Sequence, residues 1–333
     1  MSSNRSGKSK VASLLSPCIG LRSTSGRVHS AKENAEREMI LKSHRLLKSQ
    51  HIQRKLSSSR TKHAKKEEQE AKVAEEIKEL EDDLMKQLTS VVFEEIAAIE
   101  SCSHGSLNFL SCHSLEQLKK EFMSEHTLRR FLTARKWDVS HAAAMLMEYY
   151  RWREINPVGG IEAKDIETSL KAEKVFMLKE KDWEGRPVLV VIATRHVVEN
   201  QSLEETIRFV QYCTDKIMHI AMDDEAGVSK MCVFVDLRSV GGHCLDQTAL
   251  GTMLELMQNY FPERLGTAIL WKPPTIFWLA WKLVYNFIPK ETRRRMCFAY
   301  KQKDVAKFMD PAFVPEIFGG TANDDILTPI EDA

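Results

Sequence analysis

No stretch of this 333-residue sequence stays apolar for the roughly 20 residues that a helix needs to cross a bilayer. The nearest candidate, Thr275 to Pro289, is shorter and is interrupted by Lys282. Seven cysteines form no CxxC pair, and no His/Cys spacing suits zinc, so no metal site is expected. An odd, scattered set without a signal peptide reads as the reduced thiols of a cytoplasmic protein, most of them buried as small hydrophobes. GxGxxG, GxxxxGKS, GxSxG and HExxH are all missing. The eleven histidines are scattered, none beside a carboxylate and a nucleophile that would form a triad. No catalytic residue can be named, and an enzyme is not expected.

Acidic residues are also missing from the first thirty positions. Transit peptides share that composition, but no amphipathic stripe accompanies it, so residues 1–30 read as a disordered basic arm. The formal net charge of +1 hides a strong asymmetry. Residues 1–66 carry sixteen Lys or Arg against three Glu, whereas residues 67–100 carry three Lys against twelve acids. The basic arm has no interleaved aromatics, so nucleic acid is not an expected partner.

Residues 31–100 are rich in helix formers. Val73, Ile77, Leu80, Leu84, Leu88, Val91 and Val92 recur at helical intervals, which predicts an apolar stripe. That stripe either pairs with a partner helix, as in a coiled coil, or folds back on the body. Leu56-Ser57-Ser58-Ser59 marks a break, and residues 101–114 read as a linker. Residues 115–157 read as a lobe of three short helices closed by Pro157, Gly159 and Gly160.

After that lobe, strand and helix patterns alternate. Strands are expected at Val175–Lys179, Pro187–Ala193, Met231–Leu237, Leu265–Trp271 and Met296–Tyr300. Asp182-Trp183-Glu184-Gly185 suits a hairpin turn between the first two. Helices are expected at Leu203–Met222, Leu245–Tyr260, Thr275–Ile288 and Lys303–Met309. The fold class is therefore α/β, with a mixed, partly parallel sheet across residues 158–322 and a tail at 323–333.

The segment after Pro273-Pro274 is apolar nearly all round. Ile276, Phe277, Ala280, Trp281, Val284 and Ile288 lie on one side, Leu279, Leu283 and Phe287 on another. Such a helix is buried or in contact with lipid. It is either a movable wall between a pocket and a membrane surface or a core helix. Lys290, Arg293, Arg294 and Arg295 follow directly, a pattern that suits contact with an anionic membrane as well as a solvated cluster.

Several motifs, in register, resemble the CRAL-TRIO family of lipid-binding and transfer proteins, which includes yeast-type phosphatidylinositol transfer proteins. They are Leu128 to Val139 followed by Trp152-Arg153, then Gly185-Arg186-Pro187-Val188, Val235-Asp236-Leu237, Tyr260 to Leu265, and Pro315 to Gly320. The resemblance covers roughly residues 115–322. It implies the CRAL-TRIO fold, a small N-terminal helical lobe packed on an α/β domain that encloses one lipid, with the apolar helix as its gate. It implies a head-group site at Arg135, Glu263, Thr292 and Arg295, the last an Arg where the family has Lys, with Lys136 adding charge.

Met231 and Val233 stand on the central strand where the family uses hydroxyl side chains for phosphatidylcholine. A second, choline-lipid activity is therefore not expected, and a sterol-like or isoprenoid ligand stays open. The expected protein needs no cofactor beyond its bound lipid, phosphatidylinositol being favoured, and works at the periphery of cytoplasmic membranes. Lys290, Arg293 and Arg294 are its expected membrane contacts. The alternative is a membrane-sensing interaction protein that holds a partner through residues 31–100.

Overall fold

A computed structural model describes residues 37–42, 63–102 and 123–333. The basic arm expected at 1–30, the break at Leu56 to Ser59, residues 103–114 of the expected linker and residues 115–122 of the expected lobe lie outside the described residues. The chain divides between Arg151 and Trp152 into two compact units.

The helical unit contains α1 (His63–Cys102), α2 (Glu125–Ala134) and the first part of α3 (Val139–Ile155). Ser124 starts α2 by accepting a hydrogen bond from the Thr127 N–H. Of the expected stripe of α1, Ile77, Leu84, Leu88 and Val92 are buried and Val73, Leu80 and Val91 half-buried, and the buried Ile96 continues it. α1 lies against α2, and Arg129 of α2 pairs with the buried Glu81 of α1. The stripe thus folds back within its own unit. A helical turn at 37–42 joins it through the fully buried Ile40 and through Arg37, whose guanidinium donates to the Asp138 carboxylate at 3.0 Å.

The second unit is built on a six-stranded sheet: β1 (Val175–Leu178), β2 (Val188–Ile192), β3 (Met231–Asp236), β4 (Leu265–Trp271), β5 (Met296–Ala299) and β6 (Leu327–Pro329). Its order is β5-β4-β3-β2-β1-β6. Strands β2 to β5 run parallel, and β1 pairs antiparallel with both β2 and β6. The sheet is therefore mixed. Helices α4 (Glu167–Lys171), α5 (Leu203–Ala221), α6 (Gln247–Tyr260), α7 (Phe277–Val284), α8 (Lys290–Arg294) and α9 (Gln302–Val305) complete the unit. Ser202 and Asp246 cap α5 and α6 by accepting the N–H of Glu205 and Ala249.

Three segments differ from expectation. The apolar helix expected through Ile288 ends at Val284 and continues as a tighter 3-10 turn at Tyr285–Phe287. Pro289 accounts for this, because a proline disfavours helical geometry in the residue before it. The helix expected at Lys303–Met309 is the single turn α9, whose Asp304 carboxylate accepts the N–H groups of Tyr300 and Lys301. Residues 323–333, expected as a tail, supply β6 and the buried Ile330, whose N–H donates to the Val175 carbonyl.

One face of the sheet is a closed core. Val188, Val190, Ile192, Cys232, Phe234, Ile269 and Trp271 are all buried there against Val305, Met309, Val314 and Phe318. The turn that brings Phe318 in depends on Gly320, where a Cβ would lie 1.9 Å from the Val314 carbonyl oxygen. Cys213, Cys232 and Cys244 are buried and Cys297 half-buried, all four as free thiols.

Candidate functional site

The other face is different. In-register partners on neighbouring strands point to one side of a sheet. Pairing therefore aligns Met177, Leu189, Val233, Ala268 and Met296 in one row across the strands. Val175, Val191, Val235, Leu270 and Phe298 form a second. Both rows are wholly apolar. Strands in the middle of a parallel sheet are normally buried on both sides, yet Val191, Val233 and Val235 of β2 and β3 are only partly buried, as are Met296 and Phe298 of the edge strand β5. This partly accessible apolar surface runs from β2 to the edge strand β5, on the face that α5 and α7 cover. Met231 and Val233 both belong to this face, Met231 buried and Val233 half-buried.

The cover has two parts. Phe209, Cys213 and Ile217 of α5 pack over the β1–β3 side. On the β4–β5 side, α7 grips Phe298 with three rings: Trp278 at 4.7 Å, Trp281 at 5.4 Å and Phe277 at 6.2 Å between centroids. α6 lies against both α5 and α7. Phe277 and Trp281 thus point to the sheet. Ile276, expected beside them on the lining side, is exposed instead, because it precedes the first turn of α7. Ile288 is buried. Ala280 and Val284 lie on α7, and their side chains are outside the described residues. The outer side of this segment presents Leu279, 65% exposed, with Ile276, Lys282 and Tyr285.

At the N-terminal ends of β3, β4 and β5 the apolar rows meet charge. The Arg295 guanidinium donates to Glu263 Oε2 at 2.6 Å and to the Leu265 carbonyl at 2.9 Å. Lys230, immediately before β3, reaches the same Glu263 oxygen at 3.5 Å. Glu263 adopts a left-handed backbone, φ 59°, an uncommon conformation for a residue with a side chain. Its segment is held from both sides. Arg264 is buried and forms a two-pronged pair with Asp224, at 2.6 and 3.0 Å. Upstream, Tyr260 stacks on Trp152 at 4.4 Å, and Phe261 lies under the Arg153 guanidinium. Arg153 in turn makes a buried two-pronged pair with Asp215 of α5, at 2.5 and 2.9 Å.

Of the expected head-group residues, Glu263 and Arg295 come together, and Thr292 sits one turn before Arg295, its carbonyl accepting the Arg295 N–H. Arg135 and Lys136 end α2 in the helical unit. Burial pushes the Arg135 guanidinium below its usual pKa, partly opposed by Glu148. Lys136 is exposed, with φ 53°. Among the expected membrane contacts, Lys290 and Arg294 are exposed, whereas Arg293 stacks over the Tyr285 ring at 4.1 Å. Sequence reasoning missed Lys230 and Phe298. Neither carries a local signal, since Lys230 meets Glu263 across neighbouring strands and Phe298 meets α7.

A second polar cluster lies at the opposite end of β2. The buried Lys174 ammonium donates to Gln201 Oε1 at 2.5 Å and to Ser169 Oγ at 3.3 Å, and sits over the Phe209 ring. Burial lowers its pKa to about 8. The described residues contain no group of three His, Cys, Asp or Glu able to hold a metal and no helix long and apolar enough to cross a membrane.

Residues 171–320 match the family described as CRAL/TRIO domain, and residues 64–148 match its N-terminal domain. The match begins within α1. Protein real-time of Drosophila melanogaster is 27% identical over 214 residues, covering 59% of this chain and 32% of that protein. The chain thus spans about a third of that relative's length. Phosphatidylinositol transfer protein PDR17 of Saccharomyces cerevisiae is 27% identical over 219 residues, covering 62% of this chain and 60% of that one. The crystal structure of Sfh5 shares the fold at a TM-score of 0.51 and 18% identity, covering 68% of this chain and 83% of that one.

Proposed function

Because the chain belongs to the CRAL/TRIO family, whose members bind and transfer lipids rather than catalyse reactions, we propose that it encloses one phospholipid, with phosphatidylinositol favoured. The lipid's acyl chains lie along the two half-open apolar rows. Its head group sits at the charged ends of β3, β4 and β5. The observation that carries this reading is a half-open, wholly apolar sheet face with a compact charged cluster just before the strands β3, β4 and β5 that build it.

The energetics suit a carrier. A two-chain lipid has on the order of thirty methylenes, each worth roughly 0.8 kcal/mol when removed from water. Exchange between bilayer and protein is then nearly balanced, while release into water is prohibited. Selectivity falls to the few polar contacts at the head group. Glu263 and Thr292 suit inositol hydroxyls, and Arg295 suits phosphate, its planar fork matching two oxygens at once.

The exposed outer side of α7, with Lys290, Arg293 and Arg294, is proposed to meet an anionic membrane surface while α7 swings as the gate. Domain limits are proposed as a helical N-terminal domain from residue 64 and a lipid-binding domain that extends through β6. The apolar Met231 and Val233 favour a second reading, a sterol-like or isoprenoid cargo. The partner-helix reading has less support, since the stripe of α1 is already covered within its own unit.

Mass spectrometry of lipids bound after exchange with mixed vesicles tests the assignment. Phosphatidylinositol enriched to one molecule per chain is the expected result. A sterol-like or isoprenoid lipid at that stoichiometry would replace it.

A further inference from the structure

Resting on the reading above, we propose that Lys230 is a specificity-determining residue, which grips the phosphate of an anionic phospholipid together with Arg295. Glu263 Oε2 marks the point on which the two cations converge.

The placement is the first ground. Lys230, Glu263 and Arg295 come from the segments leading into β3, β4 and β5, three adjacent parallel strands. Glu263 occupies the middle position, and the two cations converge on it from either side. Both address a single atom, Oε2, at 3.5 Å from Lys230 and 2.6 Å from Arg295. A carboxylate oxygen and a phosphate oxygen make the same demands on such donors. Two cations converging on one oxygen therefore present the donors that a phosphate oxygen accepts from.

The second ground is the difference between the cations. Arg295 is fixed at short range by Glu263 and by the Leu265 carbonyl, which defines where its fork points. Lys230 approaches Glu263 at a longer distance, and its side chain is 39% exposed against 25% for Arg295. An ammonium on a flexible stem can follow an oxygen over a range of positions. Arg295 sets the geometry of the phosphate, and Lys230 closes on it from the other side.

The third ground is the backbone. Glu263 is held in its left-handed conformation by the neighbouring Arg264–Asp224 pair and by the Arg264 carbonyl, which accepts the Met231 N–H at 2.9 Å. That last bond ties the Glu263 segment to the start of β3, one residue from Lys230. The fixed backbone keeps the Glu263 carboxylate beside both cations, where it can accept hydroxyl hydrogens of the head group.

The test uses the full chain with Lys230→Met and Lys230→Arg. Each protein is incubated with vesicles containing phosphatidylinositol, phosphatidylglycerol, phosphatidylcholine and cholesterol, and the lipid retained is quantified. Loss of one charge-assisted contact is expected to reduce uptake of both anionic phospholipids by roughly 10-fold or more in the Met variant. Cholesterol uptake is expected to stay unchanged and the Arg variant to retain most of the anionic uptake.

Equal uptake of phosphatidylinositol by wild type and Lys230→Met would overturn the proposal. So would an equal loss for every lipid, cholesterol included. A wild type that takes phosphatidylglycerol as readily as phosphatidylinositol, with both lost in Lys230→Met, would remove the inositol preference and leave the role of Lys230 standing. A wild type that takes cholesterol alone would remove both.

Discussion

Lys174 is a residue whose surroundings strongly disturb its chemistry. Its ammonium is surrounded by neutral acceptors and a ring rather than by a hydrogen-bonded carboxylate, and burial lowers its pKa to about 8 from 10.5. Below pH 8 both the folded and the unfolded chain carry the proton, and folding bears the whole cost of burying the charge. Between pH 8 and 10.5 the unfolded chain holds the proton and the folded chain releases it, so stability rises with pH across that window. Wild type should therefore gain stability relative to Lys174→Met as pH increases from 7.5 to 10, measured by urea unfolding. A difference that does not change with pH would show that Lys174 titrates normally.

At the scale of the element, α7 is fixed to the sheet chiefly by aromatic contacts around one ring. Phe298 meets Phe277, Trp278 and Trp281, while Leu279 on the outer side is largely exposed. Phe298→Ala removes the common partner of all three. It is expected to destabilise the protein by about 2 kcal/mol and to speed lipid exchange between vesicles several-fold, in a fluorescent-lipid transfer assay. Slower or unchanged exchange would mean that α7 is not the moving wall.

The same elements show what a sequence can and cannot reveal. Met231–Asp236 and Leu265–Trp271 were legible because buried parallel strands are continuous apolar runs. Motif positions point to Glu263 and Arg295, whereas nothing local points to Lys230, whose proposed role depends on β3 lying beside β4. Periodicity located the stripe of α1 but not what covers it. β6 escaped notice because Leu327-Thr328-Pro329 is too short to show alternation and contains a proline, which strands tolerate mainly at edges.

For the molecule as a whole, β6 extends the sheet beyond β1 and brings Ile330 into the core with Val175 and Phe209. The segment 323–333 is therefore part of the structure. Ile330→Ala should cost about 2 to 4 kcal/mol, read as a lower denaturation midpoint with an unchanged slope. A loss below half a kcal/mol would return the segment to the status of a tail.

The strand order has a consequence for how the chain comes to be folded. From β1 to β5 each strand lies beside its predecessor in the sequence. A chain emerging from the ribosome can begin with the local β1–β2 hairpin and add one parallel strand at a time, without threading any segment between strands already laid down. The half-open apolar face is not complete until β5 delivers Phe298. Until that moment its rows stand uncovered on a growing nascent sheet, and this is the interval in which aggregation competes with folding.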